Sequence, residues 1–205
     1  MEVNPSNLSA CRFLARLLIY LSRFSEALEY LDRSIHLDPA SAATSINLAR
    51  SFYAMGLHES AISHLDDAIE LEPSNYIGIA LKAAVLIELG TYSEALVLCK
   101  ESLTIQDNLD TLARIGVLYA LMDQAKDAHE IIQQIKSKAE GNSKNSIKLA
   151  RIYMALGHET EVFDYLERAF DEHEIDLVTL KFDPAWKSIR EKSRFMALMR
   201  RVGIT

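Results

Sequence analysis

Two patterns of apolar residues alternate along the chain. In the first, a large and a small residue are adjacent, and an aromatic or aliphatic residue follows one helical turn later. In the second, small or apolar residues recur at intervals of three and four. Such intervals place side chains on one face of an α-helix, so the alternation predicts pairs of helices that approach closely at their small residues.

The first pattern is found at Leu14, Ala15 and Leu18; Leu48, Ala49 and Phe52; Lys82, Ala83 and Leu86; Ile115, Gly116 and Tyr119; and Leu149, Ala150 and Tyr153. The second is found at Ala27, Leu31 and Ser34; Ala61, Leu65 and Ala68; Ala95, Cys99 and Ser102; Ala128, Ile132 and Ile135; and Val162, Leu166 and Ala169.

The paired pattern repeats with a fixed period. Pro5, Pro39 and Pro73 stand 34 residues apart within similar segments, and paired units begin near Leu8, Ala42, Tyr76, Leu109 and Ser143. A period of this length is typical of a solenoid, in which each helix pair buries its apolar face against its neighbours. We therefore expect an all-α solenoid of about five antiparallel helix pairs.

These units resemble the tetratricopeptide repeat, whose first helix carries a large-Gly/Ala-aromatic pattern and whose second carries an Ala-aromatic-Ala pattern. Residues 42–75 match best, and the resemblance covers roughly residues 8–174. It implies a right-handed superhelical array in which the first helices line a concave groove that binds another polypeptide.

The two ends of the chain differ from the repeats. Residues 1–7 resemble the last turn of a preceding repeat, and residues 175–205 are expected to form capping helices, with Asp183 and Pro184 starting one of them. The segments 177–190 and 194–203 are similar to the ending of many bacterial tetratricopeptide proteins, in which the array follows a DNA-binding, cyclase or kinase domain. That ending implies a regulatory context.

Local signals place the turns between helices. Gly56, Gly90 and Gly157 are expected to end first helices in the left-handed conformation. Ser25 and Ser93 are predicted to cap the starts of second helices.

Composition indicates which classes of partner and which cellular compartment to expect. The 205 residues carry a net charge of −7, which argues against a nucleic-acid partner. Cys11 and Cys99 lie at core-facing positions without metal-like spacing, as expected in a reducing compartment. The apolar run Leu17–Leu21 is too short to cross a bilayer, and no signal peptide is visible. A cytoplasmic protein without membrane contact is expected.

The sequence contains no motif that indicates catalysis or the binding of a cofactor or metal. The chain has neither a glycine-rich phosphate loop nor a nucleophile elbow. Its histidines, which have no metal-ligand spacing in the sequence, are interpreted as solvated surface residues: His36, His58, His64, His129, His158 and His173. We expect no enzyme activity, no cofactor and no metal.

Charge is segregated between the two kinds of helix. The first helices carry eight basic residues and two acids, a net charge of +6, which leaves −13 for the rest of the chain. One explanation is that these long side chains cover apolar surface and pair with acids of the second helices. The alternative is a basic groove that attracts an acidic partner segment. Its candidate binding residues form two clusters: Arg12, Arg16, Asn47, Arg50 and Tyr53; and Arg114, Lys144, Lys148 and Arg151.

Three functional hypotheses result. The first is a module that binds an acidic peptide or protein segment in the groove. The second is a sensory or regulatory region of a larger signalling or transcription-regulating protein. The third is a homodimeric scaffold that associates through an exposed apolar face of the first helix, formed by Phe13, Leu14, Leu17, Leu18 and Leu21.

Overall fold

The computed structural model describes residues 7–21, 23–138, 145–181 and 183–204, with only the backbone of Tyr20. Over these residues the protein has 11 α-helices, two short 3-10 helices and no β-strand. The chain divides into two compact units, Met1–Gly90 and Thr91–Thr205. Consecutive helices pack as pairs within each unit, which confirms the all-α helical-repeat fold. In the described part of the chain, no helix is both long and apolar enough to cross a membrane.

The first unit contains α1 (Leu8–Tyr20), α2 (Phe24–Leu37), α3 (Ala42–Ala54), α4 (His58–Leu71) and α5 (Tyr76–Glu88). The second unit contains α6 (Tyr92–Ile105), α7 (Leu109–Leu121), α8 (Ala125–Lys138), α9 (Ser146–Ala155), α10 (Glu159–Asp171), two 3-10 helices (Ile175–Thr179 and Pro184–Trp186) and α11 (Ser193–Val202). Each first helix also contacts the next first helix of its unit: α1 packs on α3, α3 on α5, and α7 on α9.

A side-chain cap recurs at the start of the first helices. Asn7, Ser41, Asn75 and Asn108 precede α1, α3, α5 and α7, and each side-chain oxygen accepts a hydrogen bond from the backbone N–H three residues later. These bonds satisfy donors that a helix cannot pair internally. The predicted caps at Ser25 and Ser93 are wrong. Both serines are the second residue of their helices, which start one residue earlier, at Phe24 and Tyr92.

In the second to fifth helix pairs a residue in the left-handed conformation separates the two helices, as predicted for the three glycines. Gly56, Gly90 and Gly157 have φ values of 76°, 77° and 76°. Asp123 occupies the corresponding place between α7 and α8 with φ of 58°. Asp tolerates this conformation better than most side chains do, although less well than Gly.

The second-helix pattern forms the centre of each core. All 15 residues of that pattern, from Ala27 to Ala169, are completely buried. Among the described glycines, Gly116 of the first-helix pattern leaves the least space for a side chain, because a Cβ at this position would lie 2.6 Å from Ile152 Cδ1. The small residues therefore mark the places where helices are in closest contact.

The C-terminal residues complete the core of the second unit. Six buried side chains from this segment pack with α9 and α10: Leu177, Leu180, Trp186, Ile189, Phe195 and Leu198. Asp183 caps the second 3-10 helix by accepting a hydrogen bond from Ala185 N–H at 3.0 Å. The last helix ends at Gly203, whose φ is 80°. Apolar surface of α9 and α10 is thus covered by a segment that is not a further repeat.

Candidate partner-binding surface

Arg12 is held by the turn that leads into the next helix pair. Its Nε donates to Thr44 Oγ1 at 3.0 Å, and its Nη2 donates to Asp38 Oδ2 at 3.3 Å and also to Ser41 Oγ. Because its hydrogen-bonding capacity is directed to these groups, Arg12 connects α1 to the start of α3.

The other candidates of the first cluster lie on the neighbouring helices α1 and α3. Arg16 is exposed, and its guanidinium lies over the Phe13 ring, 5.8 Å from the centroid. Asn47 donates to the carbonyl of Ala43 in its own helix at 2.9 Å. Arg50 and Tyr53 are partly buried. In this cluster Arg16 is the cation most accessible to a partner.

Lys148 lies between two carboxylates of the second unit. Its Nζ is 3.1 Å from Asp110 Oδ1 on α7 and 3.4 Å from Asp176 Oδ2 in the first 3-10 helix. The side chain is only 12% exposed. Burial lowers the pKa of Lys148, but the charges of Asp110 and Asp176 raise it, and the net pKa is raised. Lys148 is therefore a charged, internally neutralised residue.

Arg151 is also held by the C-terminal segment. Its guanidinium pairs with Asp183 and lies over the Trp186 ring, 5.5 Å from the centroid. Asp183 is itself largely buried, so the pair is shielded from solvent. Arg151 thus joins α9 to the segment that follows α10, as Arg12 joins α1 to the segment that follows α2.

Arg114 differs from these neutralised cations. It is partly buried on α7, and no other described residue forms a hydrogen bond or ion pair with it. Burial raises the pKa of the nearby Cys99 thiol to about 11, while the positive charge of Arg114 acts in the opposite direction. Lys144, the remaining candidate of this cluster, lies outside the described residues.

The apolar face of α1 is narrower than the five predicted residues. Phe13, Leu17 and Leu21 are 59%, 43% and 53% exposed. Leu14 is partly buried, and Leu18 is buried against the start of α2. Residues 1–6, most of the predicted remnant of a preceding repeat, lie outside the described residues.

Sequence reasoning missed the role of Glu174. Its carboxylate accepts hydrogen bonds from the backbone N–H groups of Ser146 at 2.6 Å and Ile147 at 3.3 Å, and so caps the start of α9. Asn145, which stands where a cap would be expected, forms no side-chain cap bond. The sequence feature that could have indicated this role is the cluster of acids Glu172, Glu174 and Asp176, which follows α10.

Comparisons with known proteins agree with this architecture. The family model described as "Tetratricopeptide repeat" matches residues 14–76 and 46–109. A search of curated proteins finds no significant match.

Solved structures share the fold at low sequence identity. TTC0263, a thermophilic tetratricopeptide protein of Thermus thermophilus, is similar with a TM-score of 0.70 and 19% identity, over 87% of this chain and 98% of that one. PilW, a widely conserved type IV pilus biogenesis factor, has a TM-score of 0.63 and 18% identity, over 91% and 84%. YrrB, a tetratricopeptide protein with an unusual peptide-binding site, has a TM-score of 0.53 and 15% identity, over 87% and 92%.

The helix pairs, their caps and the buried small residues account for these matches in physical terms. The two overlapping matches cover the second and third repeats and parts of the first and fourth. The described structure continues the same pairing through α10. Residues 14–109 therefore match the tetratricopeptide repeat family, and the described helix pairs share the fold of tetratricopeptide repeat proteins.

Proposed function

We propose that the chain binds an acidic segment of a partner protein along its first helices and carries out no reaction of its own. The fold supports the general part of this proposal, because tetratricopeptide arrays are protein–protein interaction modules. The acidic character of the partner is inferred from the charge of the first helices.

Arg114 is the observation that carries the proposal. A partly buried cation that forms no ion pair is unfavourable, because it has lost part of its hydration without a compensating contact. A carboxylate from a partner would restore that compensation and form charge-assisted hydrogen bonds with the guanidinium. Lys148, on the neighbouring helix α9, has this compensation from Asp110 and Asp176.

The internal ion pairs reduce the number of cations that are available to a partner. Arg12, Lys148 and Arg151 already have carboxylate partners within the chain. The attraction for a partner is therefore assigned mainly to Arg16 in the first unit and Arg114 in the second. Asn47, Arg50 and Tyr53 are assigned to contacts with the partner's backbone and side chains.

An array of immobilised peptides that differ in Asp and Glu content tests the proposal. We expect the purified chain to prefer acidic peptides, and Arg114→Glu to weaken their capture at least tenfold, about 1.4 kcal/mol. The matched control is Lys126→Glu on α8, which changes the net charge equally at an exposed cation outside the first helices and should leave capture unchanged. Equal capture of acidic and basic peptides, or equal effects of the two variants, would refute the proposal.

A second function is favoured by the stripe formed by Phe13, Leu17 and Leu21. Phe13 and Leu17 on α1 and Leu21, which directly follows it, are spaced four apart and all exposed. A self-complementary contact between two such stripes would give a twofold dimer. Sedimentation equilibrium at micromolar concentration should then show a dimer that Leu17→Glu dissociates. Leu71→Glu, at a similarly exposed leucine on α4, is the control and should remain dimeric. A wild-type chain that stays monomeric excludes this function.

A further inference from the structure

Two histidines that are distant in the sequence meet on the surface of the second unit. His129 lies on α8, and His158 is the residue that precedes α10. Their ring centroids are 6.1 Å apart, with the ring planes inclined at 57°. Both residues are exposed, so solvent and ions reach them.

In both imidazoles Nδ1 faces an oxygen acceptor, through a hydrogen bond in His129 and a longer electrostatic contact in His158. His129 Nδ1 is 2.7 Å from the carbonyl oxygen of Ala125, which can only accept, so this nitrogen carries the proton and Nε2 holds a lone pair. His158 Nδ1 is 3.9 Å from Glu161 Oε1, which favours its proton on the same atom. Metal-binding histidines commonly have this arrangement, in which one ring nitrogen faces a carbonyl or carboxylate and the other coordinates the ion.

We propose that His129 and His158 bind one divalent transition-metal ion through their Nε2 atoms. A metal–nitrogen bond of about 2.0–2.1 Å puts the ion roughly 3.2 Å from each ring centre, so two imidazoles on one ion have centres about 5.2–6.4 Å apart, from tetrahedral to linear. The observed 6.1 Å lies within that range. Imidazole selects zinc, copper or nickel over magnesium or calcium.

Water completes the coordination of this ion. Among the described residues there is no group of three or more His, Cys, Asp or Glu side chains that could hold a metal. The proposed site therefore has two protein ligands and open positions, which implies weaker binding than that of a closed structural zinc site.

The surroundings of His158 limit the rearrangement that binding requires. Its ring lies against the ring of Tyr153, with centroids 6.0 Å apart and planes at 27°. Tyr153 in turn stacks on Tyr165, at 5.4 Å and 13°. His129 lies on α8, in the fourth helix pair, and His158 precedes α10, in the fifth helix pair. The ion would therefore join two neighbouring repeats.

Calorimetric titration of the tag-free chain with zinc chloride tests the site. We expect one zinc ion per chain, with affinity reduced at least tenfold in both His129→Gln and His158→Gln. His36→Gln is the matched control, because His36 Nδ1 has the same contact with a carbonyl four residues earlier, Asp32, at 2.8 Å, and is not part of this pair. Its affinity for zinc should equal that of the wild type.

Thermal unfolding provides a second readout. Zinc should raise the melting temperature of the wild type and His36→Gln, and should have no effect on His129→Gln or His158→Gln, since an ion that binds only the folded chain stabilises it. Without zinc all four proteins should melt alike, because the three histidines are exposed. Absence of zinc binding at millimolar concentration, or undiminished binding in either variant of the pair, would overturn the proposal.

Discussion

Glu174 accepts a 2.6 Å hydrogen bond from the backbone N–H of Ser146, 28 residues earlier in the chain. The contact supplies the start of α9 with an anion where a local cap is missing. A negative charge at a helix N-terminus is favourable, because unpaired N–H groups give that end a partial positive charge. The C-terminal segment thus completes the fifth helix pair by hydrogen bonds to the start of α9 as well as by apolar packing.

We predict that Glu174→Gln changes the pH dependence of stability. Burial raises the pKa of Glu174, although the bonds from Ser146 and Ile147 lower it, and the net pKa is raised. The folded state therefore binds more protons than the unfolded state, and this group's contribution to stability falls as pH rises from the unfolded to the folded pKa.

Glutamine removes this titration but loses one of two acceptor oxygens. At acidic pH the variant should be less stable than the wild type by about 1 kcal/mol, and the difference should shrink as the pH rises towards neutral. Urea unfolding at a series of pH values measures both quantities. A stability difference that grows with pH would contradict the raised pKa.

Lys148→Met is predicted to destabilise the chain by about 1–2 kcal/mol, because Asp110 and Asp176 lose their shared cation while remaining partly solvated. The raised pKa of Lys148 means that the wild-type advantage is complete at neutral pH and is lost as alkaline pH rises through the folded pKa. Lys126→Met, at an exposed lysine, should change stability by less than about 0.5 kcal/mol. Chemical denaturation compares the two variants, and equal effects would show that the ion pairs of Lys148 contribute nothing.

Ala49→Leu is predicted to destabilise the first unit by about 1–3 kcal/mol, because Ala49 is completely buried in a core with Ala61 and Leu65, where a larger side chain cannot fit without strain. Ala43→Leu on the exposed side of the same helix is the control and should be nearly neutral. The two variants can be ranked by their denaturant midpoints. A neutral Ala49→Leu would invalidate the assigned helix register.

Two glycine substitutions should have opposite effects. At Gly78 an added Cβ would be 3.6 Å from its nearest neighbours, an ordinary contact, so Gly78→Ala should stabilise by roughly 0.5–1 kcal/mol through helix propensity. At Gly116 the Cβ would be 2.6 Å from Ile152 Cδ1 and 3.0 Å from Ile131 Cγ2. Because both isoleucines are buried, overpacking should outweigh propensity, and Gly116→Ala should destabilise by about 1–2 kcal/mol. Melting temperatures that change in the same direction would disprove this contrast.

The thiol of Cys99 is predicted to be inert in the folded protein. It is completely buried, and burial raises its pKa to about 11, so little thiolate is present at neutral pH. Iodoacetamide should therefore label Cys99 only after denaturant unfolds the chain, as measured by mass spectrometry. Rapid labelling under native conditions would indicate that the second unit opens locally.

The sequence by itself determined the repeat, the helix pairing and the core positions. Helical periodicity is a local property, and the small residues of the second-helix pattern must be buried wherever such pairs stack, as Ala27 in the first repeat and Ala169 in the fifth are. The left-handed turns at Gly56 and Gly157 were predictable for the same reason, since their requirement is set by neighbouring backbone atoms.

Only the tertiary structure decided what each charged or polar side chain meets. In the sequence, Arg114 is one of several basic residues on first helices, as are Arg12, Lys148 and Arg151. The structure gives these three carboxylate partners, whereas Arg114 has none among the described residues. His129 and His158 likewise become neighbours only when α8 packs beside the fifth helix pair. Long side chains reach partners about one repeat away in the chain, and a spacing rule within one helix contains no information about those distances.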